Sequence, residues 1–416
     1  MRNARYDKAS RGHTLVKALG ITLLELFILV SIAGSVPFAD IQNSGSNNVS
    51  DLNKSDEAIN PFDKVIEINP QDSKAWNKKG NVYSELNKSD EAIKEYDKAN
   101  NSDEAIKAFD KAIEINPLNS NAWIYKGNVL SDLNKFEEAI KAYDKVIEIN
   151  TNNSDAWYNK GNALYALNKS YKAIIAYDKS IKINPQSSLT WYNKGLALDH
   201  LNKSDESIKA YDKAIEINPQ YSMAWNNKGL ALYKSNKSDE AIKAFDKAIG
   251  IDPQNSKALN NKGIALVKLG KSEEAITEFD KAIEINPNNS DAWYNKGIAL
   301  DDLGKYDEAI KAYDKEIEIN PRHPNTWDSK GNALNKLNKF DEAIIAYDKA
   351  IEINPQSSMA WNNKGLVLYK LNKYDEAIKA YEKAIEINPQ NSMAWYKKRL
   401  ALHILSSTTS INQSLI

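Results

Sequence analysis

Two kinds of amphipathic stretch alternate along the chain, and residues 154–187 show one pair. In DAWYNKGNALYALNK, Trp157, Leu164 and Leu167 fall on one face of a helical period. In the stretch from about Tyr171 to Ile183, Ala173, Ile174, Tyr177 and Ile181 do the same. Ser154 is placed to cap the first helix and Pro185 to stop the second. The pattern predicts a helical hairpin. Its small residues Gly161 and Ala173 permit close approach, and Trp157 and Tyr177 fill the space around them.

The pair recurs. Tryptophans stand at 123, 157, 191, 225, 293, 327, 361 and 395, always thirty-four residues or twice that apart, and Leu259 takes the missing slot. Glycines from Gly127 to Gly365 and prolines from Pro185 to Pro389 keep the same step. A fixed period in this range means stacked supersecondary units.

An early aromatic, Gly four residues on, then Ala, an aromatic and a final Pro resemble the tetratricopeptide repeat (TPR) family. Here those residues are Trp157, Gly161, Ala173, Tyr177 and Pro185, and the next unit has Trp191, Gly195, Ser207, Tyr211 and Pro219. The resemblance covers residues 54–405 and implies an all-α fold, a right-handed α-solenoid of stacked helix-turn-helix units. On this reading residues 120–391 are eight regular units, 392–405 a capping helix and 406–416 a tail. The slot before the Gly, aliphatic in the family, is Lys here (Lys160, Lys194, Lys228, Lys262 and others), its stem expected to cover the interface while its ammonium reaches water. Thr151 stands in for one Pro, and Arg399 for the last Gly, which suits a terminal helix.

Two irregularities lie in residues 54–119, which read as a degenerate module. Trp76 and Trp123 are forty-seven apart, thirteen more than one period, because Ser89–Asn101 is followed by its near-copy Ser102–Glu114. Thirteen residues rotate a helical stripe by about 220°, which predicts a break or sharp kink near Asn100–Asn101. Asn60-Pro61 reads as the cap and first turn of a helix.

The resemblance also implies where a ligand would lie. The first helices would form the concave wall, with contacts at fixed steps after the Trp. Those steps select Tyr158, Asn162, Tyr192, Leu196, Asn226, Leu230, Asn260, Ile264, Tyr294, Ile298, Asn332 and Leu366 as a peptide-binding groove. Leu196, Leu230, Ile264 and Ile298 make its centre apolar, either to hold a partner's side chains or to pack between adjacent helices. The basic residues of a carboxylate clamp are missing from the corresponding slots. Asp301–Asp302 would suit a basic ligand, or be satisfied by Lys268 or Lys336.

Charge narrows the partner class. With 55 basic and 56 acidic residues, finely interspersed, the chain lacks the basic excess that nucleic acid requires. It has no cysteine, its four histidines show no ligand spacing, and it has no phosphate loop or nucleophile motif. No catalytic residue, cofactor or metal is expected, and the partner is a protein or peptide. The rivals are a structural spacer or self-assembling surface protein, and an accessory subunit of a glycosyltransferase or secretion complex.

The amino terminus differs in kind. Residues 1–38 combine a basic start (Arg2, Arg5, Lys8, Arg11, Lys17) with an apolar run from Ala18 to Phe38, interrupted by Glu25. The run reads as a signal peptide or as a signal anchor over residues 18–36, the only membrane contact expected, and puts the array outside or exported. A buried helix in a cytoplasmic protein is the alternative. Residues 39–53 read as a flexible linker. Asn-Lys-Ser recurs at Asn168, Asn202 and Asn236, either as glycosylation acceptors or as the turn residues that Asn and Ser commonly are.

Overall fold

The structure, a computed structural model, describes the backbone of residues 50–89 and 95–414, with side chains over 59–84 and 102–406. Twenty helices and no strand occur among the described residues. They form an all-α solenoid of helix pairs, divided into two compact units at Lys169 and Ser170.

The first unit contains α1 (Ser50–Ile68), α2 (Ser73–Ser89), α3 (Glu95–Ile115), α4 (Ser120–Asp132), α5 (Phe136–Ile149) and α6 (Ser154–Ala166). The second contains α7 (Ser170–Ile183), α8 (Ser188–His200), α9 (Ser204–Ile217), α10 (Ser222–Lys234), α11 (Ser238–Ile251), α12 (Ser256–Lys268) and α13 (Ser272–Ile285). It continues with α14 (Ser290–Asp302), α15 (Tyr306–Ile319), α16 (Pro324–Lys336), α17 (Phe340–Ile353), α18 (Ser358–Lys370), α19 (Tyr374–Ile387) and α20 (Ser392–Ser414). Within each unit every helix packs on the next. Even-numbered helices are the A helices, which bear Trp or, in α12, Leu259 at the same slot, and odd-numbered ones the B helices.

Each A helix from α4 to α18 ends at a residue in the left-handed region, Asn202 (φ 57°), Asn236 (φ 61°) or Gly270 (φ 73°), for example. That conformation lets Lys203 N–H reach back to the Leu198 carbonyl at 3.0 Å, satisfying an end carbonyl of α8. The next A helix starts on a side-chain cap such as Asn255, whose Oδ1 accepts from Ala258 N–H at 3.0 Å. Within a pair the glycine matters for space. A Cβ on Gly229 would stand 2.5 Å from Phe245 Cε1, so the ring can lie against α10 only because that side chain is absent.

The first unit corrects three expectations. Its α3 runs as helix through Asn100 and Asn101, so no break occurs there. The pair closes instead on the second copy of the duplicated segment. Gly80 faces Phe109 as Gly127 faces Tyr143, and Ser73 Oγ donates to the Ala112 carbonyl at 3.0 Å as Ser222 does to Ala248. Helix hydrogen bonds do not require a continuous apolar stripe, so α3 runs unbroken across the junction between the two copies. Pro61 lies inside α1 rather than in a first turn, despite a cost of about 3 kcal/mol for an interior proline. Packing of α1 along α2 offsets it: Ile59 is buried, and Lys79 Nζ reaches Asp63 at 2.5 Å. Ser50–Asn53, read as linker, belong to this helix. In the second unit the capping helix continues through the expected tail to Ser414.

No helix among the described residues is long and apolar enough to cross a membrane. The apolar run of residues 18–38 and the linker up to Val49 lie outside the described residues.

Candidate functional site

In the second unit successive A helices touch: α8 with α10, α10 with α12, and so on to α18 with α20. A continuous wall of A helices results. Its residues are tied together by a ladder of side-chain amides. Asn227 Nδ2 donates to Tyr192 Oη at 2.9 Å, Asn261 to Asn226 Oδ1 at 3.0 Å, and Asn295 to Asn260 Oδ1 at 3.1 Å. Asn363 does the same to Asp328 Oδ1 at 3.2 Å. In each case the second residue after a Trp slot binds the first residue after the preceding one. Each such bond contributes roughly 1 kcal/mol and fixes adjacent A helices in register.

The expected groove residues therefore differ in setting. Tyr192 and Asn260 are buried rungs of the ladder. Tyr192 also lies tilted against Tyr221 with ring centroids 4.9 Å apart. Asn226 is half-buried and bonded on both sides, its Nδ2 donating to Asn227 Oδ1 at 3.2 Å. Asn332 accepts Tyr347 O–H at 2.8 Å and Asn363 Nδ2 at 3.2 Å. Tyr294 lies against Tyr313 and His323. Leu196, Leu230, Ile264 and Ile298 are half-buried, each packed on the core of its own repeat. Leu366 is half-buried too. Tyr158 and Asn162 belong to the first unit, where Asn159 Nδ2 donates to Asn128 Oδ1 at 3.1 Å in a related bond.

A cavity of about 470 Å³ opens on this wall. Tyr192, Met223, Asn226 and Asn227 line one side, and the turn and helix start at Gln254, Asn255 and Lys257 the other. Met223 is 53% exposed, and Leu189 and Met359 occupy the same repeat position, also exposed. Met223 and the ladder donors Asn227, Asn261, Asn295 and Asn363 were not selected from sequence. The signals are present: Asn recurs two residues after the Trp slot, and Met223, Met359 and Met393 are three of the chain's four methionines.

The acidic pair on α14 is not neutralised by Lys268. That lysine donates to Asn236 Oδ1 at 2.7 Å and lies over the Tyr233 ring. Asp301 Oδ1 is buried without a hydrogen-bond partner. Burial, then repulsion from Asp302, raise its pKa above the usual carboxylate value, while Lys336 pulls it down. Burial also raises Asp328, against the amide bonds from Asn363 and Asn332.

The lysines before the glycines do not simply reach water. Lys228 Nζ lies 2.6 Å from Asp212 on the preceding B helix and 5.2 Å from the centroid of Trp225. Lys296 pairs with Asp280 and Lys364 with Asp348 in the same way. The aspartate comes from the neighbouring repeat, so one hairpin read alone cannot show the pair.

Models described as "Tetratricopeptide repeat" match residues 154–187 and 358–391, 191–256 and 260–324, 62–94 and 108–141, and 95–117. A "TPR repeat" model matches 127–168 and 331–372. These matches cover most of the chain. The chain belongs to the tetratricopeptide repeat family. TPR repeats serve as protein–protein interaction scaffolds, and that general role holds for this chain. No curated protein sequence matches it.

Solved TPR-type structures are similar over part of the chain. YrrB, a TPR protein with an unusual peptide-binding site, is 26% identical over 44% of this chain and 95% of its own, with a TM-score of 0.39. MamA is 28% identical over 40% and 98%, with a TM-score of 0.37. The APC/C Cut9–Hcn1 assembly is 18% identical over 85% and 74%, with a TM-score of 0.48. At these TM-scores the likeness bears on no ligand or partner of this chain.

Proposed function

We propose that the A-helix wall of the second unit binds an extended segment of a partner protein. The cavity beside Tyr192, Met223 and Asn226 carries this reading. It joins an exposed, adaptable methionine to amides whose remaining donors and lone pairs match a peptide backbone. The half-buried Leu230 and Ile264 continue the apolar surface along the wall. No basic clamp is present in these slots, so the segment need not be a chain terminus.

Peptide selection from a random displayed library on the full chain tests this. Selected peptides should bind the parent, and Met223→Asp should weaken them by about tenfold or more, a loss of about 1.4 kcal/mol, at an unchanged melting midpoint. Equal binding to the variant contradicts the proposal. Substitutions at Leu230 or Ile264 are poorer tests, since both pack on the core.

The proposal includes location. The basic start and apolar run of residues 1–38 support export or anchoring, with the wall facing outside. Protease accessibility on intact cells, with amino-terminal sequencing, tests it; complete protection of the array opposes it.

A further inference from the structure

All nine tryptophans of the chain sit in one kind of slot. Each indole N–H donates to the carbonyl six residues earlier, at 3.0–3.3 Å, as Trp225 does to Pro219 and Trp293 to Pro287. A lysine three residues on lies over each ring, 5.2–5.9 Å from its centroid. The slot thus combines an acceptor, a cation over the π face and apolar edges.

The start of α12 breaks the series. Leu259 replaces the tryptophan and is 3% exposed, sunk onto Ala282 and Ala292. The Pro253 carbonyl and Lys262 keep their places in the repeat. Between the B helices α11 and α13 an open cleft of about 590 Å³ results, lined by Ile249, Pro253, Leu259, Lys262, Glu278 and Ile285 among others. A second departure occurs in the same unit. Glu278 stands where the other repeats have alanine (Ala142, Ala176, Ala210, Ala244, Ala312, Ala346). Its side chain is 11% exposed, and its Oε1 lies 3.2 Å from both Lys262 and Lys281. Lys262 is therefore held between Asp246 at 2.8 Å and Glu278. The cleft keeps the partners of an indole, while the residue that normally supplies the ring has withdrawn into the core.

We propose that this cleft receives the indole of a tryptophan side chain presented by a partner protein. The ring occupies the position its nine counterparts hold, its N–H on the Pro253 carbonyl, its face under the Lys262 ammonium and its edges on Ile249 and Ile285. Every tryptophan of the chain itself is engaged in its own slot, so the ring comes from outside. The cleft opens between two B helices and does not depend on the reading of the A-helix wall.

The test titrates N-acetyl-tryptophanamide into the full-length protein, with binding read by saturation-transfer NMR and calorimetry. The parent should bind it, and bind N-acetyl-phenylalaninamide more weakly, since a phenyl ring has no N–H to donate. Leu259→Trp with Glu278→Ala rebuilds the slot of the other repeats and should reduce binding by about tenfold or more without lowering the melting midpoint. Lys262→Met, which leaves the slot open, should weaken binding several-fold. Three results overturn the proposal: no binding by the parent, equal binding by both variants, or binding of free indole with exclusion of the amide.

Discussion

Gly229 and Gly250 both lie in helical backbone of the same repeat, yet substitution by alanine should act in opposite directions. At Gly229 the added Cβ meets the Phe245 ring at 2.5 Å. Overpacking of that kind costs about 1–3 kcal/mol, more than the roughly 1 kcal/mol of helix propensity gained. At Gly250 nothing lies within 4 Å, so only the propensity gain of about 0.5–1 kcal/mol remains. Thermal midpoints should fall for Gly229→Ala and rise for Gly250→Ala; a rise for the first would mean the ring shifts freely. Glu316 is a third case. It is 1% exposed, with Oε1 3.1 Å from His323 Nδ1 and Oε2 without a partner, where other repeats have Ala282, Ala350 and Ala384. Leaving a buried polar atom unsatisfied costs about 1–3 kcal/mol, so Glu316→Ala should raise the midpoint. A clear fall would show that the bond to His323 outweighs the burial cost. Sequence marks the glycines by their period, but Glu316 is hidden in an ordinary-looking EIEIN stretch, because its burial follows only from the packing of α15.

For helices and turns, the alternation of apolar positions predicted the hairpins, and Pro and Asn marked most boundaries. The stripe could not show where a helix ends when the backbone ladder continues past the expected boundary, as it does in α3 and α20. The thirteen-residue duplication sharpens this into a prediction. Register contacts from α2 reach the second copy: Gly80 to Phe109 and Ser73 to Ala112, with Asn119 Nδ2 donating to Ser73 Oγ at 3.0 Å. Phe109→Ala should therefore lower the melting midpoint, as read by circular dichroism, through about 3 kcal/mol or more of lost packing. An unchanged midpoint would mean that the second copy does not hold the pair together.

On the scale of the whole chain, the thirty-four-residue period made the family and the all-α solenoid legible, and it located the A-helix positions from which a wall is built. The wall's internal bonding was not legible. Its rungs join residues thirty-five apart, such as Asn261 and Asn226, and exist only once repeats are stacked. The same holds for the Lys228–Asp212 pair. Sequence therefore named Leu196 to Ile298 as the apolar centre, whereas the stacked second unit exposes Met223 beside a cavity and packs those aliphatics on the core. A partner segment is proposed to lie on this wall. Photo-crosslinking tests it most directly, with a benzophenone side chain placed at Met223 on α10 or at Lys247 on α11, in the presence of a selected peptide. A crosslink from position 223 and little from 247 is expected; strong crosslinking at 247 with none at 223 would mean that no partner segment lies on the wall.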